Sequence, residues 1–211
     1  MGRIKTNPFD YLQTAMTPKH FDKVARQLFA NVLSDYGFSC EKSRFCTFYR
    51  QHSDEVFHFV LPDLGTRGTW FDVKVFPASP LLSPLFKENF PDDVGIPTDS
   101  FSYLSARGVG LDQEKFNCKT EENLRRRFEL SVRSALEERA IPYLDHFRSL
   151  DDIIPVLRTP VFRGVGLHCV GKMDEAIPLL QAERERLSLL DSDAPVISAW
   201  LSFIDELLEN H

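Results

Sequence analysis

The chain has 211 residues, 43% hydrophobic and 27% charged, with a formal net charge of −6. That length can bury a full core, as one domain or one domain with a smaller appendage. The acidic balance speaks against non-specific nucleic-acid binding, which needs a basic face.

No stretch reaches the roughly 18 apolar residues that a transmembrane helix requires, so no membrane association is expected. Cys40, Cys46, Cys118 and Cys169 are too few and too scattered for a disulfide framework. The N-terminal sequence MGRIKTNPFDYL lacks the apolar run of a signal peptide, and a cytoplasmic location is expected. MGRIKT loosely fits an N-myristoylation pattern and is set aside as coincidence. There are 18 phenylalanines, most of them before residue 130. Such side chains bury large areas without a polar partner, which places the main core in the N-terminal two thirds.

In chain order, residues 1–17 read as a lead-in. Thr17 followed by Pro18 reads as a helix N-cap with proline at the first helical position. Phe21, Val24, Ala25, Leu28, Phe29, Val32, Leu33 and Tyr36 then recur at steps of three and four. That pattern predicts an amphipathic helix over 18–36, closed by Gly37 in a left-handed cap. Residues 44–77 predict a three-stranded antiparallel meander. Phe57, Phe59 and Leu61 alternate with Val56, His58 and Val60, and Phe71, Val73 and Val75 alternate with Trp70, Asp72, Lys74 and Phe76. Ser53, Asp54 and the glycines at 65 and 68 supply the turns.

Five prolines between 76 and 97 forbid a continuous element there, yet Leu81, Leu82, Leu85, Phe86 and Phe90 keep it apolar. This stretch reads as a packed loop, with one helical turn at 82–87 and a short strand near 102–104. Thr120 opens a second helix, with Glu121 and Glu122 at its positive end and a stripe of Leu124, Phe128, Val132, Ala135, Leu136 and Ala140. Pro142 is expected to break it. Helices are expected at 150–157, 161–170, 174–190 and 195–208. The fold class is therefore α+β: an antiparallel sheet of three to four strands flanked by two long helices, with a C-terminal helical subdomain. The expected domains are residues 1–144 and a helical extension, 145–211, packed on them.

Several groupings could carry chemistry. Cys40, Cys46, His52 and His58 recur every six residues and offer thiolate and imidazole donors that zinc accepts. They lack the close pairing that lets two ligands converge from one turn. They read as core thiols and surface histidines, and no metal or other cofactor is expected. RGVGL occurs at 107–111 and again at 163–167, without the strand–loop–helix setting of a phosphate loop. Arg125, Arg126 and Arg127 point in three directions on a helix and read as a solvated face with local glutamate pairing. No nucleophile–base signature is present, so no catalytic residue is assigned. Asp92, Asp93, Asp99, Asp112 and Glu114 line the proline-rich loop with carboxylates, and Phe101 and Tyr103 lie between them. These seven are the candidate partner-binding residues.

The order helix, FYR (48–50), VFHFVLPDL (56–64) and TWFDVKVFP (69–77) resembles an uncharacterised bacterial domain-of-unknown-function family. The likeness spans residues 18–145 and rests on core strand residues, so it carries over no catalytic residue. Families of this type often resemble immunity proteins that neutralise toxins. That analogy implies a non-catalytic binding protein, monomeric or homodimeric, whose acidic loop meets a basic protein partner such as a toxin. The alternative is a small-ligand binder or enzyme with a pocket between the sheet and the 78–116 loop. Near the C-terminus, GVGLHCVGKMDEAIPLL (164–180) resembles the tetratricopeptide helix–turn–helix pattern at Gly171 and Ala176. One copy falls short of a solenoid, so it reads as a local helical hairpin.

Overall fold

The computed structural model describes residues 15–40, 46–82, 115–157, 160–190 and 195–209. The described chain is α+β. Five strands, β1 (Ser39–Cys40), β2 (Phe48–Gln51), β3 (Phe57–Leu64), β4 (Trp70–Ala78) and β5 (Phe116–Asn117), form one sheet in the order β1-β2-β3-β4-β5. Two-residue strands carry no alternation, so β1 and β5 are invisible to periodicity and the expected three to four strands become five. Ser39 pairs with Tyr49 and Cys40 with Phe48, antiparallel; Trp70 pairs with Asn117 and Phe71 with Phe116 in the same sense.

The described residues fall into two compact units. One draws on Met1–Arg50, Phe59–Val75 and Arg107–Leu144, the other on Gln51–His58, Phe76–Ala106 and Asp145–His211.

In the first unit, α1 (Pro18–Leu33) starts at Thr17, whose side chain accepts from the His20 N–H. A single 3-10 turn, Ser34–Tyr36, carries it to Gly37 at φ +79°, the left-handed conformation that glycine adopts without strain. Its buried face meets the sheet through aromatic rings. Phe21 lies 5.6 Å from Phe71, and Phe29 lies 6.0 Å from Phe48 and 5.0 Å from Phe128. Between β3 and β4, Gly65 N–H donates to the Trp70 carbonyl and Gly68 N–H to that of Gly65. Gly68 has φ +63°, and a Cβ there would stand 2.4 Å from the Met16 carbonyl oxygen, so the turn admits only glycine.

A continuous helical run over 121–144, α2, follows Thr120, whose side chain caps it by accepting from Asn123 N–H. Two π turns interrupt it, Phe128–Val132 and Leu136–Ala140. The expectation that Pro142 breaks this helix is corrected: Ile141–Leu144 remains helical. The second π turn, with Ile141 N–H bonded to Leu136 O, widens the helix just ahead of the proline ring. Such insertions are a known way for a helix to absorb a lost i→i−4 bond.

The second unit holds α3 (Leu150–Ile153), α4 (Pro160–Cys169), α5 (Met173–Ser188) and α6 (Pro195–Glu209). A capping box joins Ser149 and Asp152 at the start of α3. Gly171, at φ +75°, turns α4 into α5. A Cβ on Gly164 would stand 2.7 Å from Leu180, so this glycine sets how closely the two helices approach. Phe162 meets Trp200 edge-on at 5.7 Å. Among the described residues, no helix is long and apolar enough to cross a membrane.

Candidate metal centre

The seven candidate partner-binding residues (Asp92, Asp93, Asp99, Phe101, Tyr103, Asp112 and Glu114) lie outside the described residues, as do the strand expected at 102–104, the first RGVGL copy and, apart from Leu82, the helical turn expected at 82–87. The second copy lies within α4, where Gly164 and Gly166 serve close packing. Of the three consecutive arginines, Arg125 pairs with Glu121 one helical turn away at 2.7 Å and also donates to Gln27.

His58 departs from expectation. Val56, His58, Val60 and Pro62 form the buried set of the β3 segment, while Phe57, Phe59 and Leu61 are only half-buried. A histidine therefore occupies a position that alternation gives to a core side chain. It has no exposed surface at all, which corrects the reading of His58 as a surface histidine, while His52 is exposed as expected.

Local hydrogen bonding explains how other donors reach it. The turn after β2 closes with His52 N–H and Ser53 N–H both donating to the Val56 carbonyl, at 2.9 and 3.2 Å. His52 thus faces Val56, and His58 is its diagonal neighbour, two residues further along the returning strand. The two imidazoles stack with centroids 4.6 Å apart and planes 22° from parallel.

The segment that follows α2 closes over this hairpin. Ser53 Oγ donates to the Arg148 carbonyl at 2.9 Å, and Leu150 N–H donates to the Glu55 carboxylate at 3.0 Å. His58 Nε2 lies 3.1 Å from the Phe147 carbonyl. A carbonyl can only accept, so His58 donates to it through Nε2. Metal-binding histidines are commonly oriented in this way, by donating the other ring N–H to a carbonyl or carboxylate.

Asp145 completes the group. One donor atom from each of His52, His58 and Asp145 lies within 4.8 Å of the other two, and His52 and Asp145 reach solvent. Tetrahedral zinc, with bonds of about 2.0–2.1 Å, places neighbouring donors about 3.4 Å apart. Two imidazoles and one carboxylate suit zinc and other late divalent transition metals, and leave coordination positions open.

The cysteines stand elsewhere. Burial pushes the Cys118 thiol up to about 12 and raises that of Cys169 as well. Cys40 accepts a hydrogen bond from Arg26 at 2.9 Å. In the first unit, a cavity of about 910 Å³ is lined by Met16, Asp22, Cys46, Asp63, Arg67 and Lys74 among others.

Asp145 gives no signal in the sequence, because no spacing links it to the histidines. The six-residue spacing singles out His52 and His58 beside Cys40 and Cys46, whereas the structure brings them together with Asp145. The chain matches no protein-family model, no curated protein and no solved structure.

Proposed function

We propose that the protein binds a divalent transition-metal ion, zinc foremost, through His52, His58 and Asp145. The observation that carries this reading is the convergence of His52, His58 and Asp145, one donor atom of each lying within 4.8 Å of the other two, around a buried His58 held by the Phe147 carbonyl. With three protein donors, the ion keeps a position for an oxygen or nitrogen group from outside, which makes the site a metal-dependent binding site.

Isothermal titration of the metal-stripped protein with zinc, and cobalt substitution read by visible absorption, test the proposal. One equivalent should bind. Asp145→Ala and His52→Ala should each weaken binding by at least about tenfold while changing stability by less than about 0.5 kcal/mol, as expected for solvent-accessible side chains. Binding of no metal by the wild-type protein, or of equal metal by wild type and both variants, would sink the idea.

A basic protein partner, such as a toxin, is a second proposal, carried by the net charge of −6. Copurification at low and high salt tests it: a partner held by charge should be lost as salt rises.

A further inference from the structure

The first unit brings together two thiols and a cation that the metal reading does not use. Cys40 ends β1 and pairs across the sheet with Phe48. Cys46 lies two residues before Phe48, just ahead of β2, and is buried. The two sulfurs are within hydrogen-bonding contact.

Neighbouring groups on α1 hold each cysteine. Arg26 Nη1 donates to the Cys40 sulfur at 2.9 Å, and the Asp22 carboxylate accepts the Cys46 backbone N–H. Asp22 and Arg26 are one helical turn apart, so one face of α1 positions both thiols. The surroundings of the two differ. Cys40 is half-buried and Cys46 is 1% exposed. Cys46 also lines the 910 Å³ cavity, together with Asp22 and Thr47.

We propose that Cys40 and Cys46 are a hydroperoxide-reactive pair that closes reversibly to a disulfide, with Cys40 attacked first and Cys46 resolving. In the first step the Cys40 thiolate attacks one peroxide oxygen. The S–O bond forms, the O–O bond breaks, and the departing alkoxide or hydroxide takes a proton from water. Arg26 sets a fixed positive charge against the sulfur and oxygen through which this negative charge passes. In the second step the Cys46 sulfur attacks the Cys40 sulfenic acid. The S–S bond forms, the S–OH bond breaks, and the hydroxide leaves as water with the Cys46 thiol proton. Overall, two thiols give up two electrons and one hydroperoxide becomes an alcohol (or water) plus one water. A dithiol reductant reverses the change by exchange.

Burial by itself raises the Cys46 thiol, with the nearby Cys40 adding to the effect, so Cys46 suits the resolving role better than the attacking one. Cys118 and Cys169, whose thiols are also raised by burial, serve as internal controls.

The test treats the full-length, reduced protein with stoichiometric hydrogen peroxide, then maps peptides without reduction. The expected result is a Cys40–Cys46 linked peptide, loss of two of the four titratable thiols, and full recovery with dithiothreitol. Cys46→Ser should stop at a Cys40 sulfenic acid trapped by dimedone. Arg26→Met should slow wild-type oxidation by about tenfold. Four thiols surviving treatment, a linkage involving Cys118 or Cys169 in place of this pair, or an unchanged rate in Arg26→Met would each overturn the proposal. The mapping on the wild-type protein needs no variant, so a variant that fails to fold leaves the test intact.

Discussion

In the first unit, Phe29 is fully buried between Phe48 and Phe128. In the second, an equally buried strand position holds His58, whose ring must find a carbonyl to satisfy it. The two positions have the same exposure and different physics. A phenylalanine gains from burial through area alone, and its neighbours need only fit. A buried imidazole costs free energy unless a hydrogen bond offsets the loss of water. The first arrangement is what a core requires. The second ties one ring to a carbonyl of a distant segment, a constraint that a phenylalanine there would not need.

Truncation separates the two. Phe29→Ala should show the largest effect, a loss of about 3–5 kcal/mol, because it deletes a fully buried ring and leaves a cavity between two others. Urea unfolding followed by fluorescence measures it. A loss below about 1 kcal/mol would mean that the aromatic cluster is not the core of the first unit. His58→Leu should cost less, about 1–3 kcal/mol, because the side chain stays apolar and buried while the Phe147 carbonyl loses its donor. The same variant should take up no zinc. Unchanged stability with unchanged zinc binding would remove the distinction between the two positions.

This contrast also explains what the sequence disclosed. The spacing of Phe21, Val24, Leu28, Phe29 and Val32 is local, and it predicts α1 and its buried face without knowledge of the partner. The alternation in β3 and β4 is local too. It shows two faces but not which is buried, and the more aromatic set, Phe57, Phe59 and Leu61, is the less buried of the two. The choice depends on what packs against the strand, which periodicity does not contain. Pro142 misled for a related reason: its clash is with the backbone of the preceding turn, and a π turn there relieves it. The candidate metal centre was the least legible part. The carbonyl that fixes His58 lies 89 residues further along the chain. No six-residue spacing encodes it, and Asp145 lies 87 residues beyond His58 in the sequence.

The smallest predicted effect examines how that distant segment is held. Asp152 lies in the first turn of α3, accepts from the backbone N–H groups of Arg148 and Ser149, and closes a capping box with Ser149. The Arg148 N–H is the main cause that holds its carboxyl below the ordinary carboxylate range, followed by the Ser149 side chain. Because the folded-state value is depressed, this contribution to stability is present above the unfolded value and is lost as pH falls through the folded one. Asp152→Ala should therefore cost about 0.5 kcal/mol near neutral pH, since it removes the N3 half of the capping box and leaves the Ser149 N-cap in place. The difference from wild type should shrink in acid, where both proteins lack the charged acceptor. Paired denaturant titrations across that range read it out. If the cap also orders the stretch from Asp145 to Leu150, the variant should lose zinc affinity beyond what its small loss of stability explains. A constant difference across pH would assign Asp152 no titrating role, and unchanged zinc affinity would mean that Ser53 and Glu55 hold the segment in place without it.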